Sequence, residues 1–127
     1  MRFLIDTQIL VWSLGLSDKL PNRINELISD KTNEIYASSV SIWEIAIKKS
    51  IGKLTFPFEL TNIIPEINGM NINILDIRIE HFLKVSELPF HHKDPFDRLI
   101  ISQGMVEKLP IISSDNYFKN YDIKIIW

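Results

Sequence analysis

Phe3-Leu4-Ile5-Asp6-Thr7 is the stretch on which the reading of this chain turns. Three apolar residues are cut off by an acid, and from Ile9 onward the apolar positions fall three and four apart, through residue 14. That is a strand passing directly into a helix. The same change of period recurs along the chain. Residues 3–5, 34–37, 72–75 and 110–112 read as strands, with a possible fifth at 123–126. Residues 9–14, 21–29, 42–51, 60–67, 79–86 and 95–109 read as helices. Strands that alternate with helices predict an α/β fold around a mostly parallel central sheet of four to five strands, because parallel neighbours need helical crossovers.

Outward from that pattern, the whole chain fits one unit. Its 127 residues leave no room for a second core of comparable size, and no repeat or Gly/Ser-rich or Pro-rich linker divides it, so residues 1–127 read as a single domain. A hydrophobic share of 46% with 24% charged residues excludes a disordered chain. The absence of cysteine excludes disulfides and thiolate metal sites, so any metal must be held by oxygen or imidazole. The opening apolar run is too short for a signal peptide, and no run is long enough for a membrane span. A cytoplasmic location is the expectation, with no membrane partner. A formal net charge of −2 argues against a broadly basic surface that grips nucleic acid, though not against an enzyme that meets RNA locally.

Parallel sheets carry their sites beyond the carboxyl ends of the strands, and there the acids gather. Asp6 ends the first strand and Asp115 follows the fourth, in Ile111-Ile112-Ser113-Ser114-Asp115. Glu44 follows the second, one turn into a helix, while Asp94 and Asp97 open the longest helix. Each acid alone has a structural explanation. Asp94 before Pro95 is an N-cap with proline at the first helical position, and Ser41 with Glu44 three residues on is a capping-box pattern. Asp6 and Asp115 also precede helical segments and would cap them. A cap needs one side chain per helix, however, and here several carboxylates share one sheet edge. Such a group resists ionising together unless a cation sits among them. Oxygen donors without thiolates point to Mg²⁺ or Mn²⁺, and the matching chemistry is hydrolysis of a phosphodiester by metal-activated water.

At these residues the sequence resembles the PIN-domain ribonucleases, and within them the VapC-like toxins of bacterial and archaeal toxin–antitoxin pairs. The resemblance covers nearly the whole chain. It rests on Phe3-Leu4-Ile5-Asp6-Thr7 with Leu10-Val11-Trp12, Ser39-Val40-Ser41-Ile42-Trp43-Glu44-Ile45-Ala46, the specific run from His92 through Asp94-Pro95-Phe96-Asp97-Arg98 to Gln103, and Leu109-Pro110-Ile111-Ile112-Ser113-Ser114-Asp115. It implies a three-layer α/β/α fold and a metal-dependent endoribonuclease. It further implies an RNA substrate, a cognate antitoxin and a homodimer. Carried over by position, it makes Asp6, Glu44 and Asp97 the core ligands of Mg²⁺ or Mn²⁺ and Asp115 a fourth catalytic acid, and leaves Asp94 as the cap. The sequence departs from the family pattern at Gln8, where histidine is usual, and at Ser113, where threonine is frequent.

Beside the acids stand Thr7, His92, Asp94, Arg98 and Ser113, candidates for support of the site or contact with substrate. His91 reads as a solvated loop residue, and His92 as either solvated or in contact with phosphate. Arg98 reads as a salt-bridge partner for a carboxylate, with a phosphate clamp as the alternative. Lys48, Lys49 and Lys53 form a basic cluster in which Glu44 and Lys48 make an i,i+4 pair. Trp43, at helical spacing with Ala46 and Ile47, reads as core. Phe56-Pro57-Phe58 reads as an exposed contact surface near a groove for an antitoxin helix. Two rivals remain. One is an inactive PIN-like module that only binds RNA or protein, although the presence of all four acids argues against decay. The other is a receiver-type phospho-acceptor domain, which needs paired acids after the first strand where this chain has Thr7 and Gln8.

Overall fold

A computed structural model describes residues 1–16 and 19–127. Its strands are β1 (Arg2–Ile5), β2 (Glu34–Ser38), β3 (Ile72–Leu75), β4 (Ile111–Ile112) and β5 (Ile125–Ile126). All pair in parallel, in the order β3-β2-β1-β4-β5. The helices are α1 (Thr7–Val11), α2 (Asn22–Ser29), α3 (Ser39–Ser50), α4 (Ile63–Gly69), α5 (Ile79–Glu87) and α6 (Pro95–Glu107). The expected fourth and fifth strands are shorter than read. Residues 60–67 divide into a 3-10 turn, Leu60–Asn62, and α4.

Period two on β1 sorts the core into two halves. Phe3 and Ile5 face one way, with Ile35, Ala37, Ile72 and Ile112 from the other strands, and pack against Ile9 and Leu10 of α1, Ile24 and Ile28 of α2, and Ile63 and Ile67 of α4. Leu4 and Ile111 face the other way, against Leu99, Ile100 and Ile101 of α6 together with Leu88, Phe118 and Tyr121. Burial on both faces is what a parallel sheet between helical layers requires, so the fold is a three-layer α/β/α sandwich. Leu4 is wholly buried, and its truncation to alanine would cost about 2–5 kcal/mol by the usual transfer and cavity terms. Gly104 lets α6 settle onto the sheet, since a Cβ there would stand 2.6 Å from Ile123 Cδ1 and 2.8 Å from Ile111 Cδ1.

Two expectations about aromatic residues are corrected. Trp43 is not core: it is 61% exposed, and its ring meets Phe96 edge-on at 5.0 Å. On α3 the core positions are Val40, Ser41, Glu44 and Ile45, so Trp43 and Ile47 lie on the outward stripe. Phe56 and Phe58 are not a free surface. They are half-buried, stack on each other at 5.2 Å and pack against the core half that contains Phe3 and Ile5.

The strand order locates the site. From β1 the chain moves outward to β2 and β3, then returns to the other side of β1 for β4 and β5. The β1/β4 junction is therefore the topological switch point, where a crevice opens beyond the carboxyl ends.

Candidate metal centre

Asp6 leaves β1 at that crevice. Its Oδ1 accepts from the Ile9 amide at 2.8 Å and caps α1, while its Oδ2 accepts from the Ser113 hydroxyl across the β1/β4 junction. Ser113 Oγ in turn accepts from the Asp115 amide at 3.0 Å, so one small hydroxyl links the two acids. Glu44 arrives on α3. The cap of that helix is Ser38, whose Oγ accepts from the Val40 amide at 3.1 Å, so Ser41 is not the cap and no Ser41–Glu44 capping box forms. Three serines within four residues, Ser38, Ser39 and Ser41, leave the start of the helix ambiguous in sequence. Inside α3, Ser41 is wholly buried and its hydroxyl meets that of Thr7 at 2.8 Å, which ties α3 to the start of α1. Asp94 caps α6 as expected, its Oδ1 accepting from the amides of Phe96 at 2.8 Å and Asp97 at 3.2 Å. Asp97 therefore sits in the first turn of α6.

These elements bring Asp6, Glu44, Asp94, Asp97 and Asp115 to the wall of one cleft of about 560 Å³, with Lys48 and Lys53 on the same wall. A second cleft, of about 460 Å³, is lined by Asn33, Asn68, Asn71 and Asn73 and lacks such a cluster.

Crowding is visible in the acids' protonation. Burial pushes Asp97 up from its ordinary 3.8 to about 8, aided by the charges of Asp94, Asp6, Glu44 and Asp115. Burial likewise lifts Asp6 to about 6; the hydrogen bonds from Ser113 and Ile9 pull against it, and Asp115 and Glu44 add to it. A helix N-terminus normally favours an anion, so desolvation and neighbouring charge outweigh that field at Asp97. One oxygen of Glu44 pairs with Lys48 at 3.0 Å. The other, Oε1, is buried with no hydrogen-bond partner among the described residues. Unpartnered buried carboxylate oxygen beside carboxyls that resist ionisation is the environment a divalent cation relieves, so Asp6, Glu44, Asp97 and Asp115 are the residues that could hold one.

The family profile of the PIN domain matches residues 3–124. The chain belongs to the PIN-domain family. Solved structures similar to this PIN domain include VapBC2 from Rickettsia felis bound to a DNA fragment from its promoter, at 18% identity and TM-score 0.70, covering 99% of this chain and 98% of that one. VapBC-1 from nontypeable Haemophilus influenzae is similar at 16% identity and TM-score 0.73, covering 99% and 97%. DNA-bound VapBC from Salmonella typhimurium is similar at 15% identity and TM-score 0.71, with the same coverage. At such identities the likeness is one of fold. No curated protein sequence matches the chain significantly.

Of the supporting residues read from sequence, Ser113 bonds to both Asp6 and Asp115, Thr7 lines the cleft with its hydroxyl on Ser41, and Asp94 lines the cleft while capping α6. Arg98 is corrected. It pairs with no carboxylate among the described residues. Its buried guanidinium donates to the carbonyls of Pro89, His92, Val85 and Leu88 and stands 4.2 Å over the Phe90 ring. A buried guanidinium with five donors suits a cluster of loop carbonyls, and sequence separation alone gave no sign of it. His91 is exposed, its ring edge-on to Tyr121. His92 instead lies between Asp97 and Asp115. Ser41 went unrecognised as a support because its spacing to Glu44 matched a capping box.

Proposed function

We propose that this PIN domain is a Mg²⁺- or Mn²⁺-dependent endoribonuclease, the toxin of a toxin–antitoxin pair, acting in the cytoplasm. The observation that carries the reading is the convergence of Asp6, Glu44, Asp97 and Asp115 on one cleft at the β1/β4 switch point, with Glu44 Oε1 left unpartnered. The donor set fits a hard divalent ion, being carboxylate oxygen with no thiolate. When bound, such an ion lowers the pKa of water and offsets the charge that develops on a phosphodiester under attack.

The chain's own groups prepare that site. Ser113 and the Ile9 amide fix both oxygens of Asp6. The Thr7–Ser41 contact keeps the start of α1 against α3, and with it the spacing between Asp6 and Glu44. Lys48 holds Glu44 Oε2. The Asp94 cap sets the first turn of α6 and the approach of Asp97. Lys53, on the cleft wall, offers a cation to an RNA phosphate.

The neighbours in fold space are VapBC toxin–antitoxin complexes, which supports an antitoxin as partner for this chain. Exposed apolar side chains support protein partners as well: Trp43 and Ile47 on α3 with Ile51 just past its end, and Ile79, Phe82 and Leu83 on α5. We assign them to a homodimer and an antitoxin together. No described helix is long and apolar enough to cross a membrane. A receiver-type phospho-acceptor is disfavoured by the strand order, which is not the 2-1-3-4-5 of that fold. A PIN fold that only binds its ligand would leave the carboxylates crowded to no purpose.

The test is direct. Purified protein should cleave single-stranded RNA with Mg²⁺ or Mn²⁺ and stop in excess chelator; undiminished cleavage in chelator overturns the metal dependence. Expression alone should arrest growth, and a small protein encoded beside it should restore growth. Harmless expression of soluble, active enzyme overturns the toxin role.

A further inference from the structure

The segment between α5 and α6 brings one imidazole against two of the acids of the cleft. The His92 side chain is 11% exposed, and its Nε2 lies 3.0 Å from Asp97 Oδ2 and 2.8 Å from Asp115 Oδ2. On the other side of the ring, Nδ1 lies 3.1 Å from the Asp94 amide nitrogen. Those contacts decide what the ring does. A backbone amide only donates, so Nδ1 receives its hydrogen and carries none. The ring proton is then on Nε2, where Asp115 Oδ2 accepts it and Asp97 Oδ2 lies close beside. Turning the ring over would set carbon atoms against the amide and both acids, so the partners themselves fix the orientation.

His92, Asp97 and Asp115 offer ligand atoms within 4.8 Å of one another, which by composition is a three-ligand metal site. The hydrogen bonds argue otherwise. A ligating histidine shows the ion a bare nitrogen and keeps its proton on the opposite one, where a carbonyl or carboxylate receives it. Here the opposite nitrogen faces an N–H. Ligation through Nε2 would move the proton to Nδ1, set two N–H groups head to head and leave the Asp94 amide without its acceptor.

We propose that His92 is a positioning residue and not a ligand: its Nε2–H donates to Asp115 and faces Asp97, and so holds the two carboxylates side by side. The centre is then all-oxygen, matched to Mg²⁺ and without the imidazole that favours Zn²⁺. The proposal rests on the reading of the acids as a metal centre. The scaffold is built for the task. Tyr121 Oη accepts from the His92 amide at 2.9 Å and donates to the Pro89 carbonyl at 2.7 Å. Arg98 donates to the Pro89 carbonyl at 2.9 Å and to the His92 carbonyl at 3.3 Å. Asp97 and Arg98 are consecutive on α6, so the residue that pins the loop is adjacent to the acid the loop serves. The Phe118 and Tyr117 rings flank the imidazole at 5.7 and 5.3 Å.

Long-range ¹H–¹⁵N correlation spectra of histidine-labelled, metal-free protein should show His92 protonated at Nε2 and bare at Nδ1, and Mg²⁺ at saturation should leave that tautomer in place. Electron spin-echo spectra of Mn²⁺-loaded protein should show no directly bound imidazole nitrogen. His92→Ala should weaken Mg²⁺ binding by about tenfold, as loss of an outer partner of a ligand does. His92→Gln, which keeps an N–H donor, should recover most of it. A proton on Nδ1 overturns the tautomer, and an imidazole nitrogen signal that vanishes in His92→Ala makes His92 a ligand; either result overturns the proposal alone. Failure of the wild-type protein to bind Mn²⁺ overturns the metal-centre reading and the proposal with it.

Discussion

Replacing Asp97 with asparagine should stabilise the metal-free protein while removing its activity, and the gain should depend on pH. In the folded chain the Asp97 carboxyl is raised from 3.8 to about 8 by burial and by Asp94, Asp6, Glu44 and Asp115. The folded state therefore keeps a proton that the unfolded state releases once pH exceeds the ordinary value. Stability is fully present below that value and falls as pH rises toward the folded pKa. At about pH 7.5 the gap is close to four units, a ceiling of about 5 kcal/mol at roughly 1.4 kcal/mol per unit. Shared repulsion among the acids and local relaxation reduce the gain expected from the amide to about 2–4 kcal/mol. For a chain of this size that is a rise in Tm of roughly 6–15 °C. At about pH 5 the ceiling is under 2 kcal/mol, so the difference should nearly close. The amide keeps the shape and can still bond as a donor. The assay is thermal unfolding of both proteins in chelator at the two pH values. An Asp97→Asn variant that melts lower than wild type at the higher pH, or a difference that does not shrink on acidification, refutes the reasoning.

Related outcomes follow from the same geometry. Wild-type protein in chelator should lose stability as pH rises through the window set by Asp6 (about 6) and Asp97 (about 8), and Mg²⁺ should offset that loss; a Tm that climbs through this window in chelator contradicts it. Ser113→Ala removes a hydrogen bond to Asp6 and an acceptor for the Asp115 amide, and should cut cleavage roughly tenfold or more with the fold intact by circular dichroism. Ser41→Ala strands the buried Thr7 hydroxyl and should cost about 1–3 kcal/mol by denaturant unfolding, whereas the double variant Thr7→Val with Ser41→Ala should recover part of that loss. Trp43→Glu, on the exposed stripe of α3, should leave Tm within about 1 kcal/mol of wild type and shift the protein toward monomer in size-exclusion chromatography with light scattering.

Much of this arrangement is legible in the residues themselves. Phe3-Leu4-Ile5 could hardly be other than a strand, and the acid that ends it falls where parallel sheets open their crevices. Asp94 before Pro95 is a local cap whose geometry needs only its own helix, so sequence was enough to find it. What sequence missed is tertiary. Helical spacing groups Trp43 with Ile47 on one stripe of α3 but does not say that the stripe faces outward, since its neighbours are set by the whole sheet. Phe56 and Phe58 occupy a loop, yet the loop folds back over the core. Arg98 sits beside an acid in sequence, but the direction of the α6 helix turns its guanidinium away from the cleft and onto the carbonyls of the preceding loop. His92 gains its place between Asp97 and Asp115 from that same loop, 23 residues from one of its partners.

Titration of Mn²⁺ into metal-free protein, paired with cleavage of single-stranded RNA, tests the central claim most directly when applied to amide variants of each acid. Asp6→Asn, Glu44→Gln and Asp97→Asn should lose both ion binding and cleavage while remaining folded, Asp115→Asn should fall between, and Asp94→Asn should keep most of both because an asparagine still caps α6. Full cleavage by Asp6→Asn or Asp97→Asn would contradict the account.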